Sequence, residues 1–318
     1  FDYHIDMLVR GQSFYKQTCI SVFFGGVLVI SISSNFLNTH SDSKKTVCRS
    51  YASELNELSV RKEEVRTLKS VVSFLTEPTI NEHSFSFVHN PKDTCSNSTN
   101  VLYVVPSAPT NFWRRSKVRQ GFLGTHVGNS NGNAKLLFFL GKSTDEALDA
   151  ETQASVVDEF VKHNDIVQEA FEDSRRNYRL KAVSMLKWPA YFCREAKYVV
   201  RLDDDIEFNI ERLFAALKEA SALYAHFVLG HRKDNGSPVR APSDRMYISR
   251  EEYPDRHFPI YIHGRIQAYP MATVRLLYQA SLRVKPIWLE DVFITGLCAL
   301  KVDVALVNLT GDEFKHLE

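Results

Sequence analysis

Three consecutive carboxylates, Asp203-Asp204-Asp205, are the residues of this chain best suited to chemistry. They directly follow an apolar, β-favouring run, Tyr198–Leu202, which predicts a buried strand of a parallel sheet. Open α/β sheets bind ligands at the carboxyl ends of their strands. Because side chains alternate along an extended chain, Asp203 and Asp205 are expected to project to the same side.

Two carboxylates on one side of the chain repel each other, and a hard divalent cation removes that repulsion. Mg²⁺ and Mn²⁺ are usually held by one or two carboxylates together with substrate phosphates. The spacing therefore predicts that Asp203 and Asp205 bind a metal–diphosphate complex. The alternative interpretation is a solvated acidic turn before a helix over 210–222, capped by Asp205 or Asn209.

A second acidic pair, Glu290-Asp291, stands immediately before an apolar segment, 292–300, that predicts a buried helix. On local grounds the pair is equally typical of a helix N-terminus, where carboxylates interact favourably with the helix dipole. Several basic residues lie on other predicted helices, where solvation on the helix surface is the local interpretation. They are Arg114, Arg115, Lys117, Arg119 and Lys181.

The elements that must position these residues alternate between strands and helices. Apolar strand patterns are found at 101–105, 135–140, 165–168, 198–202, 225–229 and 302–309. Helical patterns are found at 111–122, 144–163, 178–193, 210–222, 269–282 and 292–300. This alternation predicts an α/β fold with a mostly parallel central sheet.

Composition limits the partners of the chain. The 318 residues include 39 Lys and Arg and 38 Asp and Glu, which gives a net charge of +1. Near-neutrality argues against a nucleic-acid partner recognised through bulk positive charge. The length suits one large domain or two ordinary ones.

Residues 18–37 carry no charged side chain and are long enough to cross a bilayer, so a membrane anchor is predicted there. A single anchor near the N-terminus suggests type II topology, with 1–17 as a cytosolic tail and 95–318 as a luminal body. Between them, 38–94 is predicted to be a stem with a helix that ends before Pro78. Apolar residues at helical spacing in this stem leave open a short coiled coil that would form a homodimer.

The cysteines suit an oxidising lumen without fixing a disulfide pattern. Cys19 lies in the predicted anchor, and the other four leave three full connectivities open: Cys48, Cys95, Cys193 and Cys298. No CxxC pair is present, which argues against a structural zinc site. Glycosylation sequons at Asn97, Asn235 and Asn308 are compatible with a luminal body.

Five stretches, taken in order, resemble the inverting β-1,3-glycosyltransferases, a family of galactosyl- and N-acetylglucosaminyltransferases related to fringe. The resemblance extends from about Cys95 to Thr310. The stretches are 104–109 with Arg114-Arg115 and Val118-Arg119; 138–141; 165–168 with Asp173-Ser174, Asn177-Tyr178, Leu180-Lys181 and Trp188; 196–198 with the acidic triplet; and 247–254 with Tyr261, Gly264 and Glu290-Asp291-Val292.

The resemblance implies a GT-A fold and a type II Golgi enzyme whose catalytic domain is 95–318. It also implies a UDP-sugar donor, a glycan acceptor on a glycoprotein or glycolipid, and Mn²⁺ or Mg²⁺ as the metal. An inverting β-1,3 transfer needs a base that deprotonates the acceptor hydroxyl, and Asp291 matches that base, with Glu290 as the substitute. Galactose is the expected sugar.

The resemblance also implies a set of ligands for the metal and the nucleotide. Asp205 is the expected metal ligand, Asp203 is directed to the metal or the nucleotide, and His316 stands where relatives place a metal-binding histidine. The residues expected to approach the diphosphate or nucleotide are Arg115, Arg119, Lys181, Asp203 and Asp204.

The chain departs from the family pattern at two places. Gln120-Gly121-Phe122 stands where relatives show Trp, and 263–269 replaces a glycine-rich loop. Because glycine permits close backbone approach, Arg265 and Ile266 are expected to narrow or recast the sugar pocket. The alternative function is therefore a catalytically inactive luminal protein that binds a glycan or nucleotide on the same fold. A phosphohydrolase is disfavoured because no nucleophile motif accompanies the acidic cluster.

Overall fold

The computed structural model describes residues 19–24, 27–32, 65–143, 146–309 and 314–316 of the chain. Internal contacts divide the chain into two compact units, Phe1–Lys69 and Ser70–Glu318. In the first unit, the strands Cys19–Phe24 (β1) and Val27–Ile32 (β2) pair antiparallel.

The predicted anchor at 18–37 overlaps this hairpin. Its Val, Ile and Phe residues favour strands, and the Gly-Gly pair between the two runs favours a tight turn. Across the described ranges, no helix is both apolar enough and long enough to cross a membrane. The anchor is not confirmed and stays a prediction. The tail at 1–17 and the stem over 38–64, which includes Cys48, lie outside the described residues.

Part of the predicted stem belongs to the second unit. A helix over 65–75 (α1) ends ahead of Pro78, and its Phe74 is buried against the core of that unit. The short strand Phe87–His89 (β3) pairs with an edge of the main sheet. The second compact unit therefore includes part of the predicted stem, and the start of the catalytic domain near Cys95 stays a prediction.

The remaining elements of the second unit mostly alternate between strand and helix, in this order: β4 Val101–Pro106, α2 Phe112–Gln120, α3 Phe122–Gly128, β5 Ala134–Lys142, α4 Glu146–His163, β6 Ile166–Glu172, a 3₁₀ turn Arg175–Asn177, α5 Tyr178–Phe192, β7 Tyr198–Leu202, β8 Ile206–Phe208, α6 Ile210–Leu223, β9 Phe227–Lys233, β10 Tyr261–Pro270, α7 Met271–Ser281, a π-helix Val292–Cys298, α8 Ala299–Lys301, β11 Ala305–Asn308 and β12 Phe314–His316.

The main sheet has eight strands in the order β11-β9-β10-β7-β4-β5-β6-β3. Strands β7, β4, β5 and β6 are parallel neighbours, whereas β10 and β3 run against the strands they contact. The prediction of an α/β fold with a mostly parallel sheet is confirmed. The arrangement fits the expected GT-A type.

Side chains of the central strands alternate between two apolar layers, as the two-residue period of a strand requires. Val104 and Val199 pack in the layer that includes α5, α7 and the π-helix. Val200 and Leu202 pack in the opposite layer with α2, α4 and α6. Arg201 alternates with Val200 and Leu202, so it faces the same side of the sheet as Val199.

A disulfide joins Cys95 to Cys193, with the two Cα atoms 5.3 Å apart. It links the segment before β4 to the end of α5. Cys298 is a free thiol buried in the π-helix. The sequence left three full connectivities of four cysteines open, and the structure pairs Cys95 with Cys193.

Candidate active site

The acidic triplet lies at the carboxyl end of β7, in the turn that leads to β8. The backbone N–H of Asp203 donates to the carbonyl oxygen of Arg265 in β10, at 3.1 Å. Because β7 lies between β10 and β4 in the sheet, groups from both neighbouring strands can reach the triplet.

Arg114, near the start of α2, is the basic residue that contacts the triplet from the helix side. Its Nη1 lies 2.9 Å from Asp204 Oδ1 and 3.5 Å from Asp205 Oδ2. The hydrogen bond to Asp204 raises the pKa of Arg114, so the guanidinium remains charged. The sequence led us to expect Arg115 and Arg119 near the diphosphate or nucleotide, and it did not single out Arg114. Successive helix residues point about 100° apart, so only one of two adjacent arginines can face the triplet.

Arg115 and Arg119 lie instead in an ionic network. Arg115 Nη2 is 2.6 Å from Glu159 Oε2, and Arg119 is paired with the same Glu159 and with Asp165. The other donors of Arg115 bind the loop after β4 at Ser107 Oγ and the carbonyl oxygens of Ala108 and Pro109. These donors are occupied by protein acceptors, and the structure does not bring either arginine into contact with the triplet.

Lys181 is buried within the same end of the sheet. Its Nζ lies 2.8 Å from Asp173 Oδ1 and donates to the carbonyl oxygen of Ser107 at 2.7 Å. The other carboxylate oxygen of Asp173 accepts a hydrogen bond from the backbone N–H of Gly141. Burial lowers the pKa of Lys181. The ammonium group thus ties together the carboxyl ends of β4, β5 and β6 rather than facing solvent.

The pair Glu290-Asp291 directly precedes the π-helix. Asp291 Oδ1 accepts the backbone N–H of Val292 at 2.8 Å, which is the helix-terminal role expected on local grounds. Burial, followed by the charge of Asp291, raises the pKa of Glu290 to about 7. Burial also raises the pKa of Asp291. Carboxyl groups with raised pKa values are suited to accept a proton near neutral pH.

Arg201 joins the two acidic clusters. Its Nη2 lies 2.9 Å from Asp203 Oδ1 and 3.7 Å from Glu290 Oε1. The sequence pattern does not single out this residue, because it stands inside the apolar run of β7. The available signal was the charge itself, since a buried charge needs a partner on a neighbouring element.

The 263–269 segment, expected as a loop, forms most of β10, with a bulge opposite β9 between Ile262 and Gln267. An added Cβ on Gly264 would lie 3.2 Å from Arg201 Nη1 and 3.3 Å from Glu290 Oε1. The backbone therefore approaches both the Arg201 guanidinium and the Glu290 carboxylate closely at this glycine. Ile266 is fully buried in the apolar core and does not narrow the site.

His316 lies in β12, which pairs with β8 so that His316 is opposite Ile206. Ile206 directly follows Asp205 in the chain. The register therefore brings the backbone of this predicted metal ligand alongside the triplet.

The charges of the site favour a cation. Among the described residues, Arg114 pairs with Asp204 and Asp205, and Arg201 pairs with Asp203 and Glu290. Asp291 adds a fifth carboxylate next to Glu290. Among the side chains that the structure describes, no group of three or more His, Cys, Asp or Glu is arranged to hold a metal. The residues fit an ion that takes one or two protein ligands and completes its shell from phosphate and water, as Mg²⁺ does.

The fold and the site together define a class: an α/β protein with one acidic cluster suited to a metal–diphosphate complex and another suited to proton removal. The family model described as Galactosyltransferase matches residues 113–310, which is more than half of the chain. The chain therefore belongs to the galactosyltransferase family. The matched region contains both acidic clusters and Arg201.

Two relatives illustrate the membership. Beta-1,3-galactosyltransferase 1 of Mus musculus is 31% identical over 239 residues, which cover 74% of this chain and 71% of that protein. Lactosylceramide 1,3-N-acetyl-beta-D-glucosaminyltransferase of Xenopus tropicalis is 28% identical over 225 residues, which cover 70% of this chain and 59% of that protein. The predicted relationship to the β-1,3-glycosyltransferases is confirmed.

Proposed function

We propose that this chain is a metal-dependent, inverting β-1,3-glycosyltransferase that moves a hexose, galactose, from a UDP-sugar to a hydroxyl group of a glycan. The observation that carries the proposal is the assembly of two acidic clusters around Arg201, with Asp203 on one side and Glu290 on the other. The names of the two relatives support the linkage and the sugar class. The acceptor glycan belongs to a glycoprotein or a glycolipid.

Asp291 is the proposed general base. The acceptor oxygen attacks the anomeric carbon from the face opposite UDP, and the bond from that carbon to the diphosphate oxygen breaks. Asp291 takes the hydroxyl proton, and UDP leaves with the electron pair, so the configuration inverts. Glu290 is the substitute base, because it lies in the same pair and has a pKa of about 7.

Asp205 and His316 are the proposed ligands of Mn²⁺ or Mg²⁺, with Asp203 and Asp204 facing the metal or the nucleotide. When bound, the ion supplies stabilisation of the negative charge that develops on the departing diphosphate. Arg114 holds Asp204 and Asp205 in place from α2. The basic residues first expected at the nucleotide act indirectly in this proposal. Arg115 and Lys181 bind carbonyl oxygens of the loop after β4, and Arg119 pairs with Glu159, the same carboxylate that Arg115 binds.

The proposal includes a Golgi location, type II topology with the anchor at 18–37, and a stem that can form a homodimer. The disulfide between Cys95 and Cys193 supports an oxidising compartment, since such bonds are rare in the cytosol. The alternative of an inactive binding protein is less favoured. Its motive was the altered 263–269 segment, but Ile266 packs in the core and Gly264 remains against Glu290.

The test is turnover by the full chain in detergent. UDP release is measured from UDP-galactose, UDP-N-acetylglucosamine and UDP-glucose over β-linked sugar acceptors, with Mn²⁺ and with a chelator. We expect release from UDP-galactose that needs the metal and is lost in Asp205→Ala and in Asp291→Asn. Asp234→Ala is the matched control, because Asp234 is exposed and forms an ion pair with Arg232, two residues away in the chain.

Three results would count against the proposal. Full activity of Asp205→Ala would remove the metal assignment. Full activity of Asp291→Asn, combined with loss in Glu290→Gln, would move the base to Glu290. A folded wild-type chain that binds UDP but releases none from any donor would favour the inactive binding protein instead.

A further inference from the structure

Arg201 is a buried charge in a strand whose neighbouring residues are apolar. Its side chain is 5% exposed, and Val199, Val200 and Leu202 beside it are buried. A buried ion pair often stabilises a fold no better than well-packed apolar side chains of similar volume. A folding role alone therefore does not account for an arginine at this place.

The guanidinium of Arg201 contacts one carboxylate from each acidic cluster. Its Nη2 lies 2.9 Å from Asp203 Oδ1 and 3.7 Å from Glu290 Oε1. The other, Nη1, has no hydrogen-bond partner among the described residues. Gly264 lies against it, and a Cβ there would be 3.2 Å from Nη1. The absence of a side chain at 264 thus leaves room for the guanidinium in this position.

We propose that Arg201 is a positioning residue of the transferase site. Its planar guanidinium fixes Asp203, on the donor side, at a set spacing from the Glu290-Asp291 pair on the acceptor side. The inference rests on the proposed function. The guanidinium, a rigid and planar group of hydrogen-bond donors, suits this role better than a lysine ammonium, which is a compact charge on a flexible stem.

The arrangement has an electrostatic consequence for the base. A positive charge within a few ångströms favours the ionised form of a carboxyl group. Loss of the charge at 201 therefore makes the Glu290-Asp291 pair harder to ionise, and the acid side of the pH–rate profile moves to higher pH. The charged and titratable groups that face the pair are Arg201, Asp203, Tyr178, Tyr261 and Tyr269.

The experiment compares Arg201→Gln and Arg201→Lys with the wild-type chain in the UDP-release assay, over pH 5 to 9. For Arg201→Gln we expect kcat to fall about 100-fold, since small misplacement of reacting groups has effects of that size. We expect the acid side of its pH–rate profile to move to higher pH by about one unit. For Arg201→Lys we expect the acid side of the pH–rate profile to stay near its wild-type position, because the positive charge is kept. We expect kcat to fall about tenfold, because lysine cannot reproduce the planar, two-nitrogen geometry of the guanidinium. The KM for the donor should change less than kcat in both variants.

Lys187→Met is the matched control. Lys187 lies in a partly buried ion pair with Glu169, at 2.7 Å, on α5 and β6. Loss of that pair should lower thermal stability without moving the acid side of the pH–rate profile. A purely structural role for Arg201 predicts that Arg201→Gln behaves like this control.

The outcomes separate the inference from the proposed function. An active wild type, together with a folded Arg201→Gln variant that keeps the wild-type kcat and the wild-type acid side of the pH–rate profile, would overturn the inference alone. If Arg201→Gln does not fold, an unchanged kcat in Arg201→Lys would overturn it. No turnover by a folded wild type would overturn the proposed function and the inference together.

Discussion

Glu290→Gln should make the protein more stable at pH 8 and leave it nearly unchanged near pH 4.5. Burial and the adjacent Asp291 raise the pKa of Glu290 from an ordinary 4.5 to about 7 in the folded chain. The folded state therefore prefers the protonated acid. The stability that this group contributes is fully present below about pH 4.5 and is lost as the pH rises through 7. Glutamine resembles the protonated acid at every pH.

The magnitude follows from the gap between the two pKa values. From 4.5 to about 7, the gap corresponds to about 3 kcal/mol of unfolding free energy. The pKa of about 7 already includes the attraction of Arg201, whose Nη2 lies 3.7 Å from Glu290 Oε1, so this attraction is not subtracted again. We expect Glu290→Gln to exceed the wild type by about 1–3 kcal/mol at pH 8.

Urea unfolding of both proteins at pH 4.5 and pH 8, without reductant, measures the effect. Glu219→Gln is the control, because Glu219 is exposed on α6. Its difference from the wild type should be small and independent of pH. A Glu290→Gln difference that is the same at both pH values would refute the reasoning, since it would mean that Glu290 is ionised as easily in the folded chain as in the unfolded one.

Three other experiments test separate parts of the structure. Arg114→Met should change the unfolding free energy by less than about 1 kcal/mol, because its ion pairs are partly exposed. Arg115→Met should cost about 2–4 kcal/mol, because it removes a fully buried guanidinium and its hydrogen bonds to Glu159 and to the carbonyl oxygens of Ala108 and Pro109, while Arg119 still pairs with Glu159. Equal urea midpoints for the two would contradict the assignment. Replacing both Cys95 and Cys193 with alanine should cost about 2–5 kcal/mol, and an unchanged urea midpoint would show that this disulfide does not constrain the chain. Gly264→Ala should lower stability by about 1–3 kcal/mol, because its methyl group would lie 3.2 Å from a buried guanidinium nitrogen. A wild-type melting temperature would show that the neighbouring side chains can move away.

The sequence predicts those strands and helices in which a single hydrophobic pattern continues over a long stretch. The apolar runs of β4, β5 and β7 are buried on both faces, and such runs are typical of central parallel strands. The strand β10 was missed because polar residues at its bulge interrupt the apolar pattern. The short strands β3, β8 and β12 have too few residues for a period to emerge, and their partners lie far away in the chain.

The acidic residues of the site could be found from the sequence because each cluster adjoins an apolar segment. A carboxylate at the end of a buried strand or helix is conspicuous whatever its partner is. The sequence does not show in the same way which basic residues contact the acidic triplet. Arg114 and Arg115 differ in sequence by one position, yet one contacts Asp204 and the other is fully buried against Glu159. The helix phase decides between them, and that phase is set by packing against the sheet.

The buried basic residues bind the loop after β4, the strand that lies beside β7 and its acidic triplet. Lys181 fixes the loop after β4 to Asp173, and Arg115 fixes the same loop to Glu159 on α4. A transfer reaction requires its reacting groups to be held within a fraction of an ångström, which exposed side chains rarely achieve. Cations that satisfy loop carbonyl oxygens from within the protein stiffen this end of the sheet. In the proposed function, Arg115 and Lys181, which the sequence suggested as nucleotide ligands, act on the reaction by holding this loop in place.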